Sequence, residues 1–450
     1  MPPTMSLVAF KDAMSLALLL DHSVWSSFGY PWLQESATGH LGSLAKDACA
    51  ALSRCAFGRR HGQRHIELEG VVSYGRVLRE VRSQLTTSKS VDALLIPMLL
   101  MSYTANSQQS QQEFDIHLEG MVALLQATGP EPYQDPRLAK AFSSCRCMLI
   151  LTGIISRKRT FLEDDVWLHK AWTSDEEVSN GQDRLVDILA AIPGILEDMT
   201  PLEVQLSKRA GLRQSLQRRI QHSLGELQVW RRRWDAAFRK PTKDVPRTKP
   251  PAFTRRELPL EAESLLVYES FERSAEFSLY SAILICLLSL SKSIVVPDLA
   301  SWEVREARWH EMLTSNIRNP LPEVPMIARG LGLRAVAIQI VRTFEYQLQH
   351  IQHHQERALF WLFPLGLAGL ILIEEPLWMS TIEDLRRASQ GDRGYGQGPD
   401  AIVPEAAVSA VCWSRNPDLT SNETIGSAHC FWYAAQGGWK KAERIWSIHP

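Results

Sequence analysis

The sequence predicts an all-α fold, and three observations carry the prediction. Apolar residues recur three and four positions apart along most of the 450 residues, the period of one helical face. Alternating β-branched runs joined by tight turn pairs, the mark of hairpins, are almost absent. The composition is that of a globular protein, with 45% hydrophobic and 22% charged residues and a net charge of −1. A chain of this length buries a large core without disulfide or metal staples. Its near-zero charge excludes a global field that would draw it onto nucleic acid or an anionic membrane, so only local basic patches can play that role.

The opening stretch "MPPTMSLVAFKDAMSLALLLDHSVW" is apolar from Ser15 to Leu20, but Lys11 and Asp12 precede that run and Asp21 follows it. It is shorter than most secretory signal cores and has no small-residue cleavage pattern behind it, so an amphipathic helix is expected. In "LAKDACAALSRCAFG" the stripe Leu44, Ala48, Leu52 and Cys55 predicts a helix that Gly58 ends. "GVVSYGRVLREVRSQL" repeats the pattern with Val71, Tyr74, Leu78, Val81 and Leu85. "VDALLIPMLLMSY" is apolar nearly all round, as a central helix is, and Pro97 kinks it or shifts its start. "FDIHLEGMVALLQATG" is a further helix, stopped by Gly129 and Pro130, with His117 a core or interface histidine.

The longest pattern runs from Gln205 to Phe238. Leu212, Leu216, Ile220, Leu224, Leu227, Trp230, Trp234 and Phe238 keep helical spacing on an otherwise polar, arginine-rich surface. Tryptophans on the apolar seam favour packing against the same chain's core over a coiled coil. Arg239 to Pro259 is rich in proline and basic residues and has no period, so it reads as a linker or long exposed loop. Helices resume with "AESLLVYESFERSAEFSLYSAILICLLSLSKSI", and "RASQGDRGYGQGPDAIVP" is a second loop. The expected organisation is one all-α domain over 1–450, with helical parts 1–238 and 260–450 around the linker at 239–259.

Enzyme motifs are missing. No GxSxG, GxxxxGK[ST] or HExxH occurs, and "GDRGYGQG" lacks the leading strand a phosphate cradle needs. The seven cysteines are odd in number and form no CxxC, which fits buried reduced thiols better than a zinc site. In "QHIQHHQE", His350 and His354 share a helical face and His353 a neighbouring one. They are the best metal ligands of an alternative reading, an all-α metal-dependent enzyme. Without a third ligand on that face, a solvated helix surface fits them better. The reading from the residues is therefore non-enzymatic, with no catalytic residue, metal or cofactor. A helical protein-interaction scaffold is the other alternative. One basic stretch stands out: Arg231, Arg232, Arg233, Arg239, Lys240 and Lys243, continuing to Arg256. Such a run contacts phosphates or serves as a nuclear import signal, against the plain reading of a solvated face.

"LFWLFPLGLAGLILI", Leu359 to Ile373, raises the question of a membrane span. The uncharged run from Ala358 covers about 24 Å at ~1.5 Å per residue, short of a hydrocarbon core of ~30 Å. Pro364, Gly366 and Gly369 interrupt it, and Arg357 and Glu374 close its ends. The run Phe277 to Ser291 is also short and holds four serines. Both read as central helices of a helical globule, the first with a kink, and no membrane partner is expected.

Taken in order, these stretches resemble the fungal-specific transcription factor domain, the regulatory region of fungal zinc-cluster regulators. "HLGSLAKDACAALSRCAFGRRHGQRHI", "GVVSYGRVLREVRSQL", "DALLIPMLLMSY", "HLEGMVALLQATGP" with His117 and Gly120, "LGELQVWRRRW", "FSLYSAILICLLSL" and "WLFPLGLAGL" are each similar to a segment of that region, over roughly Leu41 to Ile373. The resemblance implies an all-helical regulatory domain in the nucleus, often governing secondary metabolism or nutrient use. It implies partners among other transcription regulators or coactivators, or a small-molecule effector. Such regulators usually carry a six-cysteine zinc cluster, which has no counterpart here. Two expectations follow: a regulator acting through partners rather than through its own sequence-specific DNA contacts, or one whose zinc cluster belongs to a first part lost from the gene model.

Overall fold

Small residues set the first packed pair. The computed structural model describes residues 8–22, 34–87, 111–169, 181–204, 210–238, 242–246, 259–295, 332–350 and 362–390. Helix α1 (Val8–His22) lies on α2 (Ser43–Arg60), and α2 packs along α3 (Arg64–Thr87) through a short turn. Leu44, Ala48, Leu52 and Cys55 are all buried, as their spacing requires. Gly58 does not end α2, which continues to Arg60; its role is close approach. A Cβ there would stand 2.4 Å from the Glu67 amide nitrogen, and one on Gly70 would stand 2.3 Å from Cys55 Sγ. The two backbones thus meet where no side chain fits. Of the expected stripe, Val81 is buried and Tyr74 and Leu78 pack against the core, while Val71 is 38% exposed; Ile66, Ser73 and Val77 complete the buried face.

Helix α4 (Gln111–Thr128) stops at Gly129 (φ +77°), whose N–H closes on Leu125 O at 3.0 Å. Glycine reaches that left-handed backbone without a steric cost. Helices α5 (Pro136–Ser156) and α6 (Asp165–His169) follow, with Phe142 of α5 against Trp167 of α6 at a ring separation of 5.6 Å. Then come α7 (Gly181–Ala190), α8 (Ile192–Val204) and α9 (Ala210–Ala237). Leu216, Ile220, Leu227, Trp230 and Trp234 of α9 are buried, so the long amphipathic pattern packs inward on its own chain.

The segment expected to be an irregular linker contains a strand. β1 (Thr242–Pro246) pairs antiparallel with β2 (Ser264–Tyr268), Thr242 opposite Tyr268 and Pro246 opposite Ser264. β2 also replaces the first turns of the helix expected from Ala262, because α10 (Phe271–Val295) begins only after the Glu269–Ser270 turn. α10 packs on α7, α9 and α11 (Leu333–His350), and also on α12 (Leu362–Ile371); α13 (Pro376–Gln390) covers α11 and α12. Every residue from Ser274 to Leu290 is buried. By length and composition α10 could cross a membrane, yet 94% of its apolar window lies inside the protein.

Pro364 lies within α12, where Phe363, Leu365, Leu367 and Ala368 are buried. Helix accounts for 85% of the described residues, so the fold is all-α with one two-stranded sheet. One apolar core joins residues before and after the β1 segment, from Leu19 to Leu385. The stretches 88–110, with the apolar run around Pro97, and 391–450, with "GDRGYGQG", Cys412 and Cys430, lie outside the described residues.

Candidate functional site

The basic end of α9 is the candidate site, and helical geometry divides its arginines. Trp230 and Trp234 lie on the inner face, stacked at 6.0 Å, with Trp230 also stacked on Tyr280 of α10 at 5.6 Å. Arg231 stands between the two faces. Its guanidinium carbon lies 4.9 Å from the Trp234 ring centre and 5.3 Å from those of Phe277 and Tyr280. Its Nε donates to both Asp235 oxygens, at 3.0 and 2.9 Å. A cation held over three ring faces and paired with a carboxylate fastens α9 to α10. Arg232 and Arg233, one and two positions on, are exposed. Lys243 is exposed on β1, while Arg239 and Lys240 lie outside the described residues. The structure thus brings Arg231 to Arg233 together and engages the first of them with rings.

Beneath this end a buried carboxylate completes the joint. Glu276, 1% exposed, accepts the Trp234 indole N–H at 2.8 Å and an Arg273 N–H at 2.5 Å through Oε2. The Arg273 guanidinium also covers the Phe238 ring at 3.8 Å. Burial pushes the Glu276 carboxyl above its ordinary range, opposed by the Trp234 and Arg273 hydrogen bonds. Burial likewise raises the Tyr280 phenol, to about 12.

A second buried ionic group lies between α5 and α7. Arg146, 2% exposed, donates to Asp187 Oδ1 at 2.6 Å and to Asp183 O at 3.3 Å. Both aspartates are pushed up by burial and pulled down by the Arg146 charge, with burial the stronger effect. Neither Glu276 nor Arg146 was legible as buried. The only hint is a lone charge inside an apolar run, in "SSCRCMLIL" and "RSAEFSLYS". Both groups are met by fixed donors or acceptors in packed helices, which makes them structural ties.

His350 is exposed at the end of α11, its ring stacked on Tyr346 at 4.1 Å and Nδ1 2.8 Å from Tyr346 O. His353 and His354 lie outside the described residues. Among the described residues, no group of three His, Cys, Asp or Glu side chains is placed to hold a metal. The described cysteines Cys49, Cys55, Cys145, Cys147 and Cys286 are buried and unbridged, and burial raises the Cys49 thiol to about 12. Comparison with family models, with curated proteins and with solved structures yields no match.

Proposed function

We propose that this chain is a non-enzymatic regulator of transcription, a helical regulatory domain of the kind its ordered motifs resemble. It works in the nucleus through other regulators, coactivators or a small effector, on genes of secondary metabolism or nutrient use. The observation that supports it most is positional. Six of the seven motif-like stretches lie on α2, α3, α4, α9, α10 and α12, and buried residues of all six helices belong to one core; the seventh, "DALLIPMLLMSY", lies outside the described residues. Two exposed arginines, Arg232 and Arg233, stand at the end of α9 and add a surface suited to import or phosphate contact.

The test is a tethering assay in a filamentous fungus. The full chain is fused to a heterologous DNA-binding domain and to a fluorescent protein, and reporter output is read with localisation. The reading expects nuclear fluorescence and a reporter change of severalfold. Exclusion from nuclei together with an unmoved reporter would overturn it.

A further inference from the structure

Among the described residues, no strand pairs with the outer side of β1, and the hydrogen-bond phase of the sheet can be fixed. Pro246 has no N–H, yet the ladder runs through it to its partner Ser264. The residues that exchange both bonds are therefore Lys243 with Val267 and Val245 with Leu265. Thr242, Asp244 and Pro246 then turn their main-chain groups away from β2, and the missing proline amide falls on the outer side, where a sheet tolerates it.

The far edge of β2 agrees with this phase. Its carbonyls at Ser264 and Tyr268 are met by side chains of α11, Arg342 Nη2 at 3.3 Å and Tyr346 OH at 3.1 Å. Arg342 also grips the Asp244 carboxylate at 2.5 Å and Ser264 Oγ at 2.8 Å, anchoring the strand pair to α11. One edge of the sheet is thus closed by a helix. Among the described residues, no backbone hydrogen bond outside the ladder reaches β1.

We infer that the outer edge of β1 takes a third strand, an extended peptide carrying an acidic and an apolar side chain two residues apart. The apolar preference comes from the outward face, where Val245 is 41% exposed and Leu265 and Val267 are half-buried. The acidic preference comes from charge. Lys243 shares that face, and the one acid of β1, Asp244, is already engaged by Arg342, which leaves a positive surplus on the strand. Like charges on adjacent strands repel, so the same surplus disfavours a second copy pairing edge to edge. Main-chain bonds supply affinity in such strand addition, and alternate side chains supply choice. The inference stands on the sheet alone and does not depend on a role in transcription.

The test uses the full chain and a labelled peptide, Thr-Glu-Thr-Val-Thr-Glu-Thr-Val, with a control in which Lys replaces Glu. Fluorescence anisotropy is expected to show saturable binding of the acidic peptide, at least tenfold tighter than the control. Lys243→Glu, an exposed change, is expected to weaken the acidic peptide tenfold or more and to favour the Lys peptide. Hydrogen exchange supplies the register: the Asp244 amide exchanges fast in the free chain and slows on binding, while the Val245 amide is already slow. No saturable binding, or binding indifferent to Lys243→Glu, overturns the inference. So does an Asp244 amide that becomes protected with rising protein concentration alone, which would assign the edge to a second copy.

Discussion

The indole N–H of Trp234 donates to a Glu276 carboxylate that is 1% exposed, joining the end of α9 to the start of α10 at 2.8 Å. A buried carboxylate costs several kcal/mol unless donors meet it. Trp234→Phe keeps a ring and removes the donor. It should cost about 1–3 kcal/mol, read as a lower urea midpoint with an unchanged slope.

The meeting of α2 and α3 gives a paired prediction. Gly70→Ala drives a Cβ to 2.3 Å from Cys55 Sγ and 2.8 Å from the Cys55 amide nitrogen, so the helices must part. The expected loss is about 1–3 kcal/mol, the usual cost of overpacking. Gly75→Ala, five residues on in the same helix, meets nothing within 4 Å. It should stabilise by ~0.5–1 kcal/mol through helix propensity. Thermal melts of both variants check the pair.

These examples show where the sequence was legible. The inward face of α9 and the burial of α10 follow from spacing and length, since Trp230, Trp234 and the run from Phe277 leave few other arrangements. The stripe on α3 holds at Tyr74, Leu78 and Val81 but not at Val71, because Gly70 and Ser73 are buried in its place; close approach is a tertiary property that no periodicity records. β1 and β2 were missed for another reason. Five residues in a proline-rich segment and a serine with four apolar residues ahead of a helix carry no period of their own, and their pairing spans residues 242 to 268. Of the candidate site, the basic run was visible, but the engagement of Arg231 with three rings was not.

Replacing Arg146 by Leu should leave Asp183 and Asp187 buried without their guanidinium. Removing one partner of such a pair typically costs ~3–5 kcal/mol, and the loss should be greatest at neutral pH. The two carboxyls are raised in the fold. Their protonation therefore favours the folded chain as pH falls from neutral towards the ordinary carboxylate range, and their ionisation disfavours it as pH rises again. Urea unfolding of Arg146→Leu at pH 7 and pH 5 should show a smaller deficit at pH 5.

Asp12 has the opposite sign. Its hydrogen bonds from Arg54, at 2.7 and 2.8 Å, hold its carboxyl below the ordinary value. That contribution is present above the ordinary aspartate pKa and is lost as pH falls through the lowered one. Hydrogen exchange on acidification below about pH 4 should accelerate in α1 before it does in α10.

The three arginines at the end of α9 should separate by assay. Arg231→Ala loses a cation over three rings and should cost ~0.5–2 kcal/mol of stability. Arg232→Ala with Arg233→Ala should stay within ~0.5 kcal/mol of the parent, while lowering the nuclear-to-cytoplasmic fluorescence ratio of a tagged chain. If the ratio does not move, the import role of this surface fails.

The central helix also has a history set by chain order. α10 ends at residue 295, but α11, which covers one of its sides, is complete only at residue 350, and α12 follows later still. At ~5–20 residues per second of synthesis, α10 leaves the ribosome roughly 3–11 s before α11 is complete. For that interval an apolar segment long enough to pass for a bilayer anchor is missing part of its cover. Safe biogenesis of this chain then rests on whatever shields α10 until the last helices arrive.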